Sequence, residues 1–159
     1  MTRTQAPDDA GRFARRSEGT VLAFDFGTRY VGVAVGDRAT RMAHPLRTID
    51  AEATAARFAA IAELIDEWKP VLLVVGLPLS LEGEEREITR RARRFARRLE
   101  GRFGLPVACV DERLSSSEAG TQLREAGRGG RTHKHLLHPV AAQIVLQAYL
   151  DEHGQAGAA

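Results

Sequence analysis

The chain has 159 residues, 43% of them hydrophobic, which is the size and composition of one ordinary domain with a buried core. It has no apolar run of about eighteen residues, no apolar leader within the first twenty, and a single cysteine, Cys109; these features exclude a membrane span, an internal disulfide and a thiolate zinc cluster, and point to a soluble cytoplasmic protein. The formal net charge is only +2, but Lys69 and Lys134 are the only lysines, so arginine, with its planar phosphate-matching fork, carries the positive charge.

Residues 1–18 mix Arg, Asp, Ser and Pro without a period and read as a disordered tail, as do 154–159; a single domain is expected over 19–153. TVLAFDFG, RYVGVAVGD and AHPLRTI are three short β-type runs, which suggests an antiparallel meander. From Ala51 to Trp68 the period becomes helical, with Phe58, Ile61, Ala62 and Ile65 on the apolar stripe and Lys69-Pro70 as the stop. VLLVVG is apolar on both faces, which marks a central strand covered on each side and makes the sheet mixed. After the loop GLPLSLEGEE, a second helix is expected from about Arg86 to Phe103, with Ile88, Ala92, Phe95, Ala96, Leu99 and Phe103 facing inward. PVACVD follows as a strand with Cys109 as a small buried core residue. A helix over Ser115–Ala126, a break at GRGGRTHK and a final helix opening at Pro139 complete the chain. The order βββαβαβα implies an α/β fold, a mixed five-stranded sheet with helices on both faces.

Asp25 lies within VLAFDFG on the same face as Val21 and Ala23, where a carboxylate needs compensation. A metal ligand, a strand-end carboxylate facing solvent and a partner of Arg29 are all open readings. Glu112 closes the strand PVACVDE, at the carboxyl end where open α/β sheets gather ligands. Asp111 and Glu112 cannot both face one way on an extended strand, and either could instead cap the serine-rich helix or pair with Arg113. In HKHLLHPVAAQ, histidines and Lys134 could bind metal or touch phosphates as a basic loop. GLPLSLEG has neither Walker nor dinucleotide spacing and reads as a substrate-facing loop. The second helix carries Arg90, Arg91, Arg93, Arg94, Arg97, Arg98 and Arg102 against Glu87 and Glu100, which is either a phosphate-tracking surface or an ordinary solvated face.

Together, LAFDFGTRYVGVAVGD, VVGLPLSLEGEE, VDERLSSSEA and PVAAQIVLQAYLD resemble, in order and separation, the signature blocks of the YqgF/RuvX family over about residues 20–152. The resemblance implies a ribonuclease H-like nuclease that processes the 5′ end of precursor 16S rRNA and is related in fold to Holliday junction resolvases. It places the family's carboxylates on Asp25 and Glu112, and its third acidic position on His138, a departure from the pattern. A divalent ion, Mg²⁺ or Mn²⁺, would then be held by Asp25, Glu112 and His138, with His135 as a substitute for the last. Arg29, Arg113 and Lys134 would hold substrate phosphates, with Arg94 and Arg98 extending the track. A monomer or weak homodimer is expected. Three rivals are a DNA-junction nuclease, an ATP-binding module suggested by DFGT, and a non-catalytic rRNA-binding assembly factor.

Overall fold

The computed structural model describes residues 19–80, 82–115 and 137–158. In chain order its elements are β1 (Thr20–Asp25), β2 (Tyr30–Asp37), β3 (Met42–Asp50), α1 (Thr54–Trp68), β4 (Leu72–Leu77), α2 (Glu87–Phe103), β5 (Val107–Asp111), a 3₁₀ turn (Glu112–Ser115) and α3 (Leu137–Ala158). The five strands form one sheet in the order β3-β2-β1-β4-β5. The first three are antiparallel neighbours, whereas β4 lies parallel to β1 and β5 parallel to β4. The expected mixed α/β sheet is therefore present. Asp25 pairs in register with Gly76 and Leu77 with Asp111, so the carboxyl ends of all three parallel strands meet at one edge.

Alternation along the strands separates two cores. On one face Leu22, Phe24, Val31, Val33, Leu73 and Val75 pack under Phe58, Ile61 and Leu64 of α1 and Phe95, Ala96 and Leu99 of α2. Phe95 is the hub, edge-on to Phe24 with ring centroids 6.0 Å apart and tilted against Phe26 at 5.2 Å and Phe58 at 5.8 Å. On the other face Val21, Ala23, Ala34 and Val74 lie under Ala142, Val145, Leu146 and Leu150 of α3. Every residue of β4 is buried, which is why its sequence shows no alternation.

Local chemistry sets the element ends. Lys69 and Gly104 adopt left-handed conformations after α1 and α2, and their N–H groups donate to Ile65 and Glu100. The edge strand β3 accommodates Pro45 beside a bulge opposite Val33 and Ala34. Gln147 fastens α3 to it: its amide nitrogen donates to the Arg41 carbonyl, and its oxygen accepts from the Ala43 N–H.

Four expectations need correction. The buried stripe of α1 is Arg57, Phe58, Ile61 and Leu64, with Ala62 exposed, because the helix is rotated so that the 57–61–64 line meets the sheet. Cys109 is exposed: β5 is an edge strand, and the nearby charges on α2 are Arg93 and Arg97. Partial desolvation still raises its thiol pKa. Helix α3 begins at Leu137, so Pro139 is its third residue, tolerated because a first-turn N–H has no intrahelical acceptor. The same helix continues to Ala158, beyond the PVAAQIVLQAYLDE segment expected to form it. The helix expected over Ser115–Ala126 falls beyond Ser115 outside the described residues.

Candidate active site

Asp25 is the last residue of β1 and is half-buried on the α3 side of the sheet, as the Val21–Ala23 alternation requires. Its partners on the two flanking strands are both glycines, Gly32 on β2 and Gly76 on β4. A β-carbon at Gly76 would come within 2.7 Å of Glu112 Oε2 and 3.0 Å of Val145 Cγ2. One at Gly32 would come within 2.0 Å of the His138 carbonyl oxygen. The two glycines thus admit the Glu112 carboxylate on one side of Asp25 and the first turn of α3 on the other. Neighbouring strands lie about 4.8 Å apart, so the three positions singled out in the sequence converge on one small region of the sheet edge. Glu112 reaches it because the chain leaves β5 at Asp111 and turns into the 3₁₀ segment, and its Oε2 atom is buried there.

His138 sits in the first turn of α3 beside Gly32, and its ring meets an aromatic neighbour. The ring stacks on Tyr30, with centroids 4.8 Å apart and planes at 22°. Among the described residues, no group of three His, Cys, Asp or Glu side chains has an arrangement ready to hold a metal ion.

The family described as "RuvX: Holliday junction resolvase" matches residues 19–152. The chain belongs to the RuvX family. Among its relatives, a protein of Methylobacillus flagellatus is 58% identical over 138 residues, covering 87% of this chain and 94% of the relative. One of Nitrosomonas europaea is 57% identical over 135 residues, covering 85% and 91%. Both carry the name "Putative pre-16S rRNA nuclease". A solved structure of Thermus thermophilus RuvC in complex with a Holliday junction substrate superposes with a TM-score of 0.61 at 12% identity, covering 87% of this chain and 97% of RuvC. That likeness establishes the ribonuclease H-like fold.

Against this RuvX framework the basic residues fall into separate places. Arg29 Nε pairs with Asp50 Oδ1 at 3.2 Å, across the β2–β3 register, and its guanidinium lies 5.1 Å from the Tyr30 ring centroid; Asp50 is therefore the partner that the sequence left open as Asp25. That hydrogen bond is the main cause of the raised Arg29 pKa. Arg113 grips Asp111, with Nη2 to Oδ2 at 2.6 Å and Nε to Oδ1 at 3.1 Å, and this contact holds the Asp111 carboxyl below its ordinary pKa. Asp111 is thereby engaged with Arg113, leaving Glu112 as the acidic group beside Asp25. The Arg113 guanidinium also lies against Gly83 of the β4–α2 loop. Arg94 and Arg98 are exposed on α2, across the sheet from Asp25. Lys134 and His135 lie outside the described residues.

Sequence reasoning missed the two glycines, Tyr30 and the buried Arg57. Gly32 and Gly76 did carry a signal, since a glycine inside a strand marks close approach by another group. Arg57 carried none, because the apolar residues of α1 fit a second rotation of the helix that leaves it exposed.

Proposed function

We propose that this chain is a metal-dependent nuclease that hydrolyses a phosphodiester at the 5′ end of precursor 16S rRNA, with Asp25 and Glu112 as its central acidic groups. The observation that carries this reading is the glycine-flanked Asp25 with the Glu112 carboxylate seated on Gly76. Two carboxylates in a space kept clear of β-carbons are hard oxygen donors, and they suit Mg²⁺ or Mn²⁺. Bound there, a divalent ion would polarise the phosphoryl oxygen and lower the pKa of the attacking water. Asp25 and Glu112 act as ligands rather than as acid and base, fixed by β1 and by the turn after β5. His138 would be the third donor, and an imidazole there would favour Mn²⁺ over Mg²⁺. Arg29 and Arg113 hold substrate phosphates near the edge, where guanidinium forks match phosphate oxygens, and Lys134 is assigned the same role from the sequence.

The relatives' shared name supports the RNA substrate, and a cytoplasmic site of action goes with it. The family description and the RuvC complex keep a DNA junction as the second substrate to test. The experiment is incubation of labelled RNA spanning the precursor 5′ end, and separately of a four-way DNA junction, with Mg²⁺, Mn²⁺ or EDTA, using the wild type and Asp25→Asn. Cleavage of the RNA that requires both the metal and Asp25 is expected. RNA bound but uncut with every metal would replace this reading with that of an assembly factor, and preferential cutting of the junction would move the substrate to DNA.

A further inference from the structure

On the sheet face opposite Asp25, a cavity of about 90 Å³ opens between the start of α1, the middle of α2 and the residues that follow β1. Four arginines line it, Arg57, Arg91, Arg94 and Arg98, against one carboxylate, the exposed Glu52. Arg91, Arg94 and Arg98 are spaced i, i+3, i+7 and so share a stripe of α2.

Arg57 differs from the other three. It is only 5% exposed. Its Nε donates to the Ala51 carbonyl and its guanidinium lies 5.4 Å from the Phe26 ring centroid, yet among the described residues Nη2 is buried without a hydrogen-bond partner. A buried cationic donor left unsatisfied is costly, and such groups in folded proteins normally have a partner. Desolvation, reinforced by nearby Arg91, lowers the Arg57 pKa from its ordinary value. The helix adds to the positive field: Thr54, its first residue, lines the cavity, and Ala53 before it supplies no side-chain cap for the orphan N–H groups.

We propose that this cavity binds a single phosphate oxyanion, with Arg57 as the buried anchor, Arg91, Arg94 and Arg98 as an outer ring and the N-terminus of α1 completing the cradle. Its volume has room for one tetrahedral anion and is well below the roughly 300–1,000 Å³ of sites for larger ligands. The same chemistry could come from free phosphate or from a phosphate of a bound nucleic-acid strand. Phe26, at the cavity, directly follows Asp25 in the chain, so the two sites share one sheet edge and face opposite ways. A strand crossing that edge would place one phosphate in each; this second source rests on the nuclease reading, and the first does not.

The test is calorimetric titration of the full chain with inorganic phosphate, with sodium chloride at equal ionic strength as the control. Wild type should bind phosphate at one site, and Arg57→Met, which keeps the bulk of the side chain, should bind about 10–100-fold more weakly, the loss expected for one charged hydrogen bond. The exposed pair Arg91→Gln/Arg94→Gln should also weaken binding and serves if Arg57→Met does not fold. Competition by a short single-stranded RNA in wild type assigns the phosphate to nucleic acid, and independent binding assigns it to free phosphate. Failure of wild type to bind phosphate beyond the chloride control, or variants that bind as wild type does, would overturn the proposal. Neither result bears on metal-dependent cleavage at Asp25, which is read separately.

Discussion

Gly76→Ala separates stability from catalysis at the proposed centre. The added methyl carbon would meet Glu112 Oε2 at 2.7 Å and Val145 Cγ2 at 3.0 Å. An ordinary carbon–oxygen contact is about 3.3–3.6 Å, so the carboxylate must retreat by roughly 0.6–0.9 Å. The carboxylate ends a flexible side chain but Val145 is β-branched and stiff, which puts the folding cost near the middle of the ~1–3 kcal/mol of overpacking, partly offset by the ~0.4–1 kcal/mol gained by restricting the unfolded chain. A net loss near 1 kcal/mol lowers the melting temperature by about 2–4 °C for a chain of this size. Displacing a reacting group by nearly 1 Å costs on the order of 100-fold in rate. Single-turnover cleavage and thermal unfolding of the same preparation check both numbers. A variant that cuts RNA at the wild-type rate would refute the role given to Glu112's position.

Gly32→Ala is expected to behave in the opposite way, because its methyl would meet the backbone carbonyl of His138 at 2.0 Å and the start of α3 cannot swing aside as a side chain does. Its destabilisation should reach or exceed about 3 kcal/mol in denaturant unfolding, and a loss under about 1 kcal/mol would contradict the close packing of α3 on β2. Asp111 supplies a pH test. Its folded pKa is depressed below the ordinary 3.8, chiefly by the Arg113 hydrogen bond, so its contribution to stability is present above the unfolded pKa and is lost as the pH falls through the folded one. A carboxyl-carbon NMR titration should place the Asp111 midpoint below 3.8 and show it rising in Arg113→Gln; an unchanged midpoint would remove Arg113 as the cause.

Much of this architecture could be read from the sequence because burial leaves a plain mark. The unbroken apolar run of β4 revealed a strand covered on both faces, and Ala92, Phe95, Ala96 and Leu99 set the inward stripe of α2. The stripe of α1 was harder, since Phe58 and Ile61 fit two rotations of the helix and only the packed sheet favours the one that buries Arg57. Cys109 misled for a related reason: an apolar strand looks the same at the edge of a sheet as at its centre. Asp25 and Glu112 could be placed by alternation and strand ends, but the pairing of Arg29 with Asp50 depends on β2–β3 register, which only the folded sheet fixes. The stacking of His138 on Tyr30 joins residues more than a hundred positions apart in the chain, and no local pattern encodes it.

The most direct test of the account is single-turnover cleavage of the precursor RNA by wild type, Asp25→Asn, Glu112→Gln and the double variant, each saturated with Mn²⁺. Groups that act as one unit are strongly non-additive, so each single variant should be as slow as the double. Losses that multiply, or a single variant that retains wild-type cleavage, would contradict a shared centre at Asp25 and Glu112.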